Sequence, residues 1–231
     1  MQEIFGRVTI NSIIAAAGEG KRFRSDKLFY KINDKSLIYY TIKGFDNSNV
    51  DRIIIAVQPL LKPKLKSLLE DCSFSKDILI VEGGAKRHLS VYSALKKCSA
   101  GIVCIHDGAR PLITPELINK SIEDCIKYSS SVLAVQVNDT MRKLDSKGLH
   151  LVDRENLYAI QTPQTFFVKE LKDAYERLFH ENPCSEFTDD AEIMIYSGKK
   201  IHLTNSNSIN IKVTYPEDIQ IIKAVIQQIS L

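Results

Sequence analysis

Short β-branched runs at residues 8–17, 52–57, 77–81, 101–106 and 131–137 alternate with stretches at 37–45, 60–70, 89–97 and 115–128 whose apolar residues recur at helical spacing. That rhythm predicts an α/β sandwich around a mainly parallel sheet. The apolar faces of the helices, Leu37, Ile38, Ile42 and Phe45 among them, read as core. Ligands of such sheets bind beyond the carboxyl ends of the strands, so the loops after Ala17, Val81 and His106 are expected to converge on one crevice. No Pro-, Gly- or Ser-rich linker divides the 231 residues, which predicts one domain over 1–231.

The first of these loops carries the strongest chemistry. An apolar strand runs into Ala15-Ala16-Ala17-Gly18-Glu19-Gly20, followed by Lys21, Arg22, Arg24 and Lys27. Small residues at Ala16, Ala17, Gly18 and Gly20 let backbone N–H groups approach phosphate oxygens, and the four cations add charge that the backbone lacks. The third glycine of a dinucleotide fold is missing, and no Gly-Lys-Ser/Thr closes a Walker loop. The expected ligand is therefore a substrate triphosphate rather than NAD or a switch nucleotide.

The second loop, Glu82-Gly83-Gly84-Ala85-Lys86-Arg87-His88-Leu89-Ser90, puts a glycine pair and a helix start just after a strand, a place that attracts anions. Gly84 and Ser90 read as ligand contacts if the first loop lies alongside. In the third, His106-Asp107-Gly108-Ala109-Arg110-Pro111, a carboxylate ends an apolar strand. Asp107 is a candidate Mg²⁺ ligand, since Mg²⁺ typically takes one or two carboxylates plus substrate phosphates; the alternative is a structural pair with Arg110. His106 reads as a satisfied core histidine rather than a base.

The remaining chain is less regular. Residues 138–157 form a hairpin that leaves the sheet, turning at Ser146-Lys147-Gly148. A two-stranded ribbon is marginal alone, so it is expected to lean on something else, a second subunit being the natural candidate. Residues 161–166 and 187–191 offer hydroxyls and amides suited to a polyol, with one of Asp189 and Asp190 expected to cap a helix. Residues 210–218 read as a short strand entering a helix with Pro216 in its first turn, and Lys212 as either exposed or aimed at an anion.

A formal charge of +3 is too small to imply nucleic acid or an acidic membrane. Five cysteines without metal or CxxC spacing read as reduced thiols. No apolar run reaches a membrane span and the N-terminus has no signal-peptide layout, so a cytoplasmic location is expected.

Taken together, the segments 16–22, 83–91, 106–111, 139–140, 161–164, 188–191 and 210–214 resemble, in order and approximate spacing, those of the 2-C-methyl-D-erythritol 4-phosphate cytidylyltransferases. The resemblance covers nearly the whole chain. It implies a three-layer Rossmann-like nucleotidyltransferase fold with a twisted, mainly parallel sheet and a protruding β-hairpin arm. It also implies joining of CTP to methylerythritol phosphate with release of diphosphate, Mg²⁺ as cofactor, and a homodimer in which one subunit's arm completes the other's site.

Residue by residue, the resemblance makes Gly18, Arg22 and Lys27 the triphosphate cradle and brings Gly84, Arg87 and Ser90 to the nucleotide, with Asp107 on Mg²⁺. Thr140 and Arg154 of the partner's arm, with Thr162, Thr188 and Lys212, would hold the acceptor. Departures from the family's pattern are a short first loop with Ser25-Asp26 before Lys27, Ala85 at a position commonly acidic, and Gly108 at a usual alanine. Arg22, Lys27 and Lys212 are the expected catalytic cations. Two rivals are a ribitol 5-phosphate cytidylyltransferase and a catalytically silent nucleotide-binding protein.

Overall fold

A computed structural model describes residues 8–18, 23, 26–182 and 186–229. Seven strands form one sheet: β1 (Ile10–Ala16), β4 (Arg52–Val57), β5 (Asp77–Glu82), β6 (Ile102–Asp107), β7 (Ser130–Gln136), β10 (Tyr158–Phe167) and β11 (Leu203–Asn205). Their spatial order is β11-β7-β10-β6-β1-β4-β5, and β10 runs antiparallel to both neighbours while the other pairings are parallel. The five expected strands are all present, within two residues of their predicted ends.

Alternation along the strands sends successive side chains to opposite faces, where two apolar cores form. Ile14, Ile53, Ile55, Ile102 and Cys104 pack with α1 (Leu37–Asp46), α2 (Lys62–Glu70), α4 (Pro115–Tyr128) and α7 (Asp218–Ile229). Ile13, Ile54, Val103 and Ile105 pack with α3 (Arg87–Leu95), α5 (Val168–Glu181) and α6 (Asp190–Tyr196). β6 is buried at every residue, as a strand covered on both faces must be. α4 starts at Thr114, whose side chain accepts from Leu117 N–H, with Pro115 behind it, and stops at Ser129 in the left-handed region.

Two small ribbons stand apart: β2 (Lys31–Ile32) with β3 (Lys35–Ser36), and β8 (Arg142–Asp145) with β9 (Gly148–Leu151). The second is the expected hairpin. Leu144 faces Leu149 across it, and both are mostly exposed, as is Leu151.

One segment with no predicted element is a strand, and one expectation needs correction. Residues 161–166 are part of β10, and the ladder with β7 slips between Ile160 and Gln164. This bulge takes Gln161, Thr162 and Pro163 out of register, which is how a proline is tolerated inside a sheet. Residues 210–214 form no strand, and α7 begins at Asp218 rather than around Pro216. The Asp218 carboxylate accepts from the N–H groups of Thr214 and Tyr215 at 2.6 and 2.9 Å, which turns the chain before the helix starts.

Candidate active site

Strand order reverses around β1, and a cleft opens there at the carboxyl ends of β1 and β6. Ala16, Ala17 and Gly18 line it from the first loop, Gly84, Arg87 and Ser90 from the second, Asp107 from β6, and Lys27 and Lys212 complete the lining. The three loops converge as the strand pattern requires. Gly20 and Arg22, expected beside them, lie outside the described residues.

The glycine pair is there for close approach. A Cβ on Gly83 would stand 2.3 Å from the Ala17 Cβ, and one on Gly84 would stand 2.6 Å from the Leu89 Cβ. Gly83 therefore lets the second loop press against the first, and Gly84 lets the same loop fold back onto the first turn of α3. Ser90, 2% exposed, accepts from Gly84 N–H at 3.0 Å, and its hydroxyl reaches the carbonyls of Gly84 and Lys86. Its hydroxyl is spent shaping the loop that faces the cleft.

Asp107 is the charge centre. Arg87 Nε donates to Oδ1 at 3.1 Å, Lys212 Nζ reaches Oδ2 at 2.9 Å, and Arg110 Nε lies 3.5 Å from the same oxygen. Burial opposes ionisation, but the cations Arg87, Lys212 and Arg110 outweigh it and hold this carboxyl far below the usual carboxylate range. Lys212 thus points inward at an anion, and Arg110 is one of three partners of Asp107 rather than its sole counter-ion. Lys27 Nζ donates to the Val213 carbonyl at 3.0 Å, which sets the two lysines on adjoining backbone.

His106 is fully buried, and burial pushes its imidazole down to about 4. Nε2 lies 3.1 Å from the Arg110 carbonyl, which only accepts, so Nε2 carries the proton. Nδ1 then accepts from the Thr162 hydroxyl at 2.9 Å, and the same oxygen accepts from Asp107 N–H at 3.1 Å. This is the satisfied core histidine that its setting predicted, and it fixes the backbone that carries Asp107.

The cleft continues past Asp107. Arg87, Asp107 and Lys212 also border a second lobe, which adds Arg110, Gln161, Thr162 and Thr188. Gln161 Oε1 accepts from Ser206 Oγ at 2.7 Å and from Asn210 Nδ2 at 3.0 Å, and the Asn210 carbonyl accepts from Arg110 Nη1 at 2.8 Å. These bonds seat the loop that carries Lys212. Thr140 and Arg154 are exposed on the arm; Arg154 donates to the Asn138 carbonyl and borders a separate polar depression with Gln136 and Glu155. Within one chain they do not line the cleft.

Two lobes thus share one cation-held carboxylate, an arrangement able to take an anionic group on either side. A family model described as "IspD: 2-C-methyl-D-erythritol 4-phosphate cytidylyltransferase" matches residues 10–228. The chain belongs to that family. A Lachnospira eligens protein named 2-C-methyl-D-erythritol 4-phosphate cytidylyltransferase is 38% identical over 217 residues, 91% of this chain and 96% of its own. A Prochlorococcus marinus protein of the same name is 38% identical over 218 residues, again 91% and 96%. Among solved structures, a 4-diphosphocytidyl-2C-methyl-D-erythritol synthase from Anaerococcus prevotii superposes with a TM-score of 0.83 at 27% identity, covering 95% of this chain and 99% of that one.

An IspD-family reading from sequence named most of the cleft but missed what supports it. Asp190 is wholly buried and binds Arg87 Nη1 at 2.7 Å and the Tyr175 hydroxyl at 2.7 Å. Asp189 is the helix cap, accepting from Glu192 N–H at 2.8 Å. Gln164 and Asn210 carry supporting bonds that the sequence did not assign to them: Gln164 holds the start of α6, and Asn210 donates to the Thr162 carbonyl at 2.9 Å. Each sits in or beside a polar run, so nothing in the sequence singles it out from its neighbours.

Proposed function

We propose that the chain transfers the cytidylyl group of CTP to 2-C-methyl-D-erythritol 4-phosphate, giving 4-diphosphocytidyl-2-C-methyl-D-erythritol and diphosphate. The observation that carries this reading is the pair of lobes meeting at Asp107, Arg87 and Lys212: one has small residues, backbone and Lys27 for a nucleotide, the other hydroxyls and an amide for a polyol phosphate.

The acceptor's phosphate monoester, with a second pKa near ~6, is largely dianionic at neutral pH and needs no general base. Its oxygen forms a bond to the α-phosphorus while the bond from that phosphorus to the bridging oxygen breaks, and the electron pair leaves with diphosphate. His106, next to Asp107 in the chain, is sealed away by Thr162 and Arg110, which agrees with a reaction that uses no histidine base. What remains is to align two anions that repel each other and to neutralise charge on the leaving group. This work is assigned to Lys27 and Lys212, which line the cleft, and to Arg22 from the sequence.

Among the described residues no group of three or more His, Cys, Asp or Glu could hold a metal ion. Asp107 alone is a poor cage for a resident ion, but it suits a Mg²⁺ that arrives with the triphosphate and most of its oxygen ligands. Lys212, 42% exposed at its side chain, is the partner of Asp107 free to yield an oxygen. Mg²⁺ held there would neutralise triphosphate charge as diphosphate departs.

A second copy of the chain completes the acceptor lobe in this proposal. Its support is the exposed apolar ribbon, with Leu144 at 76%, Leu149 at 65% and Leu151 at 72% exposure, and the place of Arg154 outside the lining of both lobes of its own chain. Among the described residues no helix is long and apolar enough to cross a membrane.

The test is direct. Protein incubated with CTP, methylerythritol 4-phosphate and Mg²⁺ should yield the diphosphocytidyl product and diphosphate, and omission of Mg²⁺ should abolish both. Consumption of ribitol 5-phosphate with a much higher kcat/KM would overturn the acceptor assignment.

A further inference from the structure

We propose that Asp190 is a positioning residue for this reaction: through Arg87 it holds the Asp107 carboxylate in place and ties the acceptor lobe to the nucleotide lobe. The inference rests on the two-lobed reading above. Three elements meet at the Arg87 guanidinium. Nε binds Asp107 at the end of β6, Nη1 binds Asp190 at the start of α6, and Arg87 itself opens α3, the helix whose Ser90 clamps the glycine loop.

Each joint in this chain is constrained. Gln164 Oε1 accepts from the N–H groups of Asp190 and Ala191 at 2.9 and 3.0 Å, and its Nε2 donates to Asp189 at 2.9 Å, so β10 fixes the start of α6. The Asp190 oxygens are divided, Oδ1 to the Tyr175 hydroxyl and Oδ2 to Arg87, and the side chain is shut off from water. Thr188, on the rim of the acceptor lobe, lies two residues before Asp190. Without the charge on Asp190, Arg87 would answer to Asp107 alone, and nothing would hold the guanidinium away from the carboxylate oxygen that Lys212 uses. A residue needed only for folding would lower stability. A positioning residue lowers turnover through Asp107.

A double-mutant cycle separates the two. Asp190→Asn keeps the shape and the hydrogen bond to Tyr175 but removes the charge. It should lower kcat about ten-fold or more while the KM for CTP moves less than about three-fold. In an Asp107→Asn background the same change should cost less than about two-fold, because the group it positions is already gone. Additive losses in kcat would overturn the proposal and leave Asp190 a residue of the fold. If Asp190→Asn does not fold, Tyr175→Phe takes its place, with a smaller drop and the same non-additivity expected; additivity there counts equally against it. The cycle can be run with whichever acceptor the wild type consumes, so a wrong acceptor shows in the wild-type rate and a wrong relay only in the cycle.

Discussion

Lys212→Ala removes the cation closest to Asp107 without opening the core. Its ammonium lies 2.9 Å from Asp107 Oδ2, yet the side chain is 42% exposed, and Arg87 and Arg110 remain on the carboxylate. A half-exposed pair of this kind contributes at most about 1 kcal/mol to stability, so Tm should fall by no more than about 2–4 °C. Turnover should respond on another scale, because removing one preorganised charge from a transition state costs about 10²–10³ in rate, or about 3–4 kcal/mol. Quenched-flow or radiolabel measurement of product formation at saturating CTP and acceptor gives kcat, and differential scanning fluorimetry gives Tm. The expected pattern is a loss of about 10²-fold or more with little thermal cost. A loss of less than a few-fold would refute the reasoning, since Lys212 would then be only a counter-ion for Asp107.

Two further predictions concern the arm and the buried histidine. If each site takes its core from one subunit and Arg154 from the other, mixing inactive Lys27→Ala and Arg154→Ala proteins should restore roughly a quarter of wild-type activity, because half the dimers are mixed and each has one whole site. No recovery, with subunit exchange confirmed by native mass spectrometry, would reject the shared site. For His106, burial places the folded pKa at about 4 against an ordinary value of 6.5, so the unfolded chain takes up a proton that the folded chain refuses. Its stabilisation is therefore complete above about pH 6.5 and drains away as pH falls toward 4, by about 3 kcal/mol in all. A His106→Gln variant should show a shallower fall of Tm across that window; an unchanged slope would mean that other groups set it.

The parallel half of the fold was legible because its strands are short apolar runs with helices between them, and β4 was read to the residue. β10 was not, although it sits between β7 and β6. Pro163 and the polar run from Gln161 to Thr165 argue against a strand locally, and only the bulge and the hydroxyls facing it from α4 and β7 make them compatible with a buried sheet. The cleft residues were legible for a different reason: loops that follow strands converge whatever their sequence, so Gly18, Gly84 and Asp107 follow from topology. What sequence spacing cannot carry is a contact such as Arg87 to Asp190, 103 residues apart. Neither residue advertises the other, and the same Asp-Asp pair at 189–190 supplies one half-buried helix cap and one fully buried ion-pair partner.

That buried partner bears on why an anion-binding site is built around a carboxylate at all. Arg87, Arg110 and Lys212 all reach Asp107, and at an effective dielectric of about 20 two like charges about 4 Å apart repel by about 4 kcal/mol. Three such cations would not stay together in a half-buried cleft without a counter-ion. Asp107 supplies one from the lobes' shared wall, and Asp190 supplies a second from behind Arg87, where no substrate can displace it. The two carboxylates therefore divide the labour. Asp190 pins the arginine permanently, while Asp107 holds Lys212 on the exposed side, where arriving phosphates can compete for it. A site assembled this way keeps its positive charge gathered and oriented before the nucleotide binds, so little of the binding energy goes into bringing cations together.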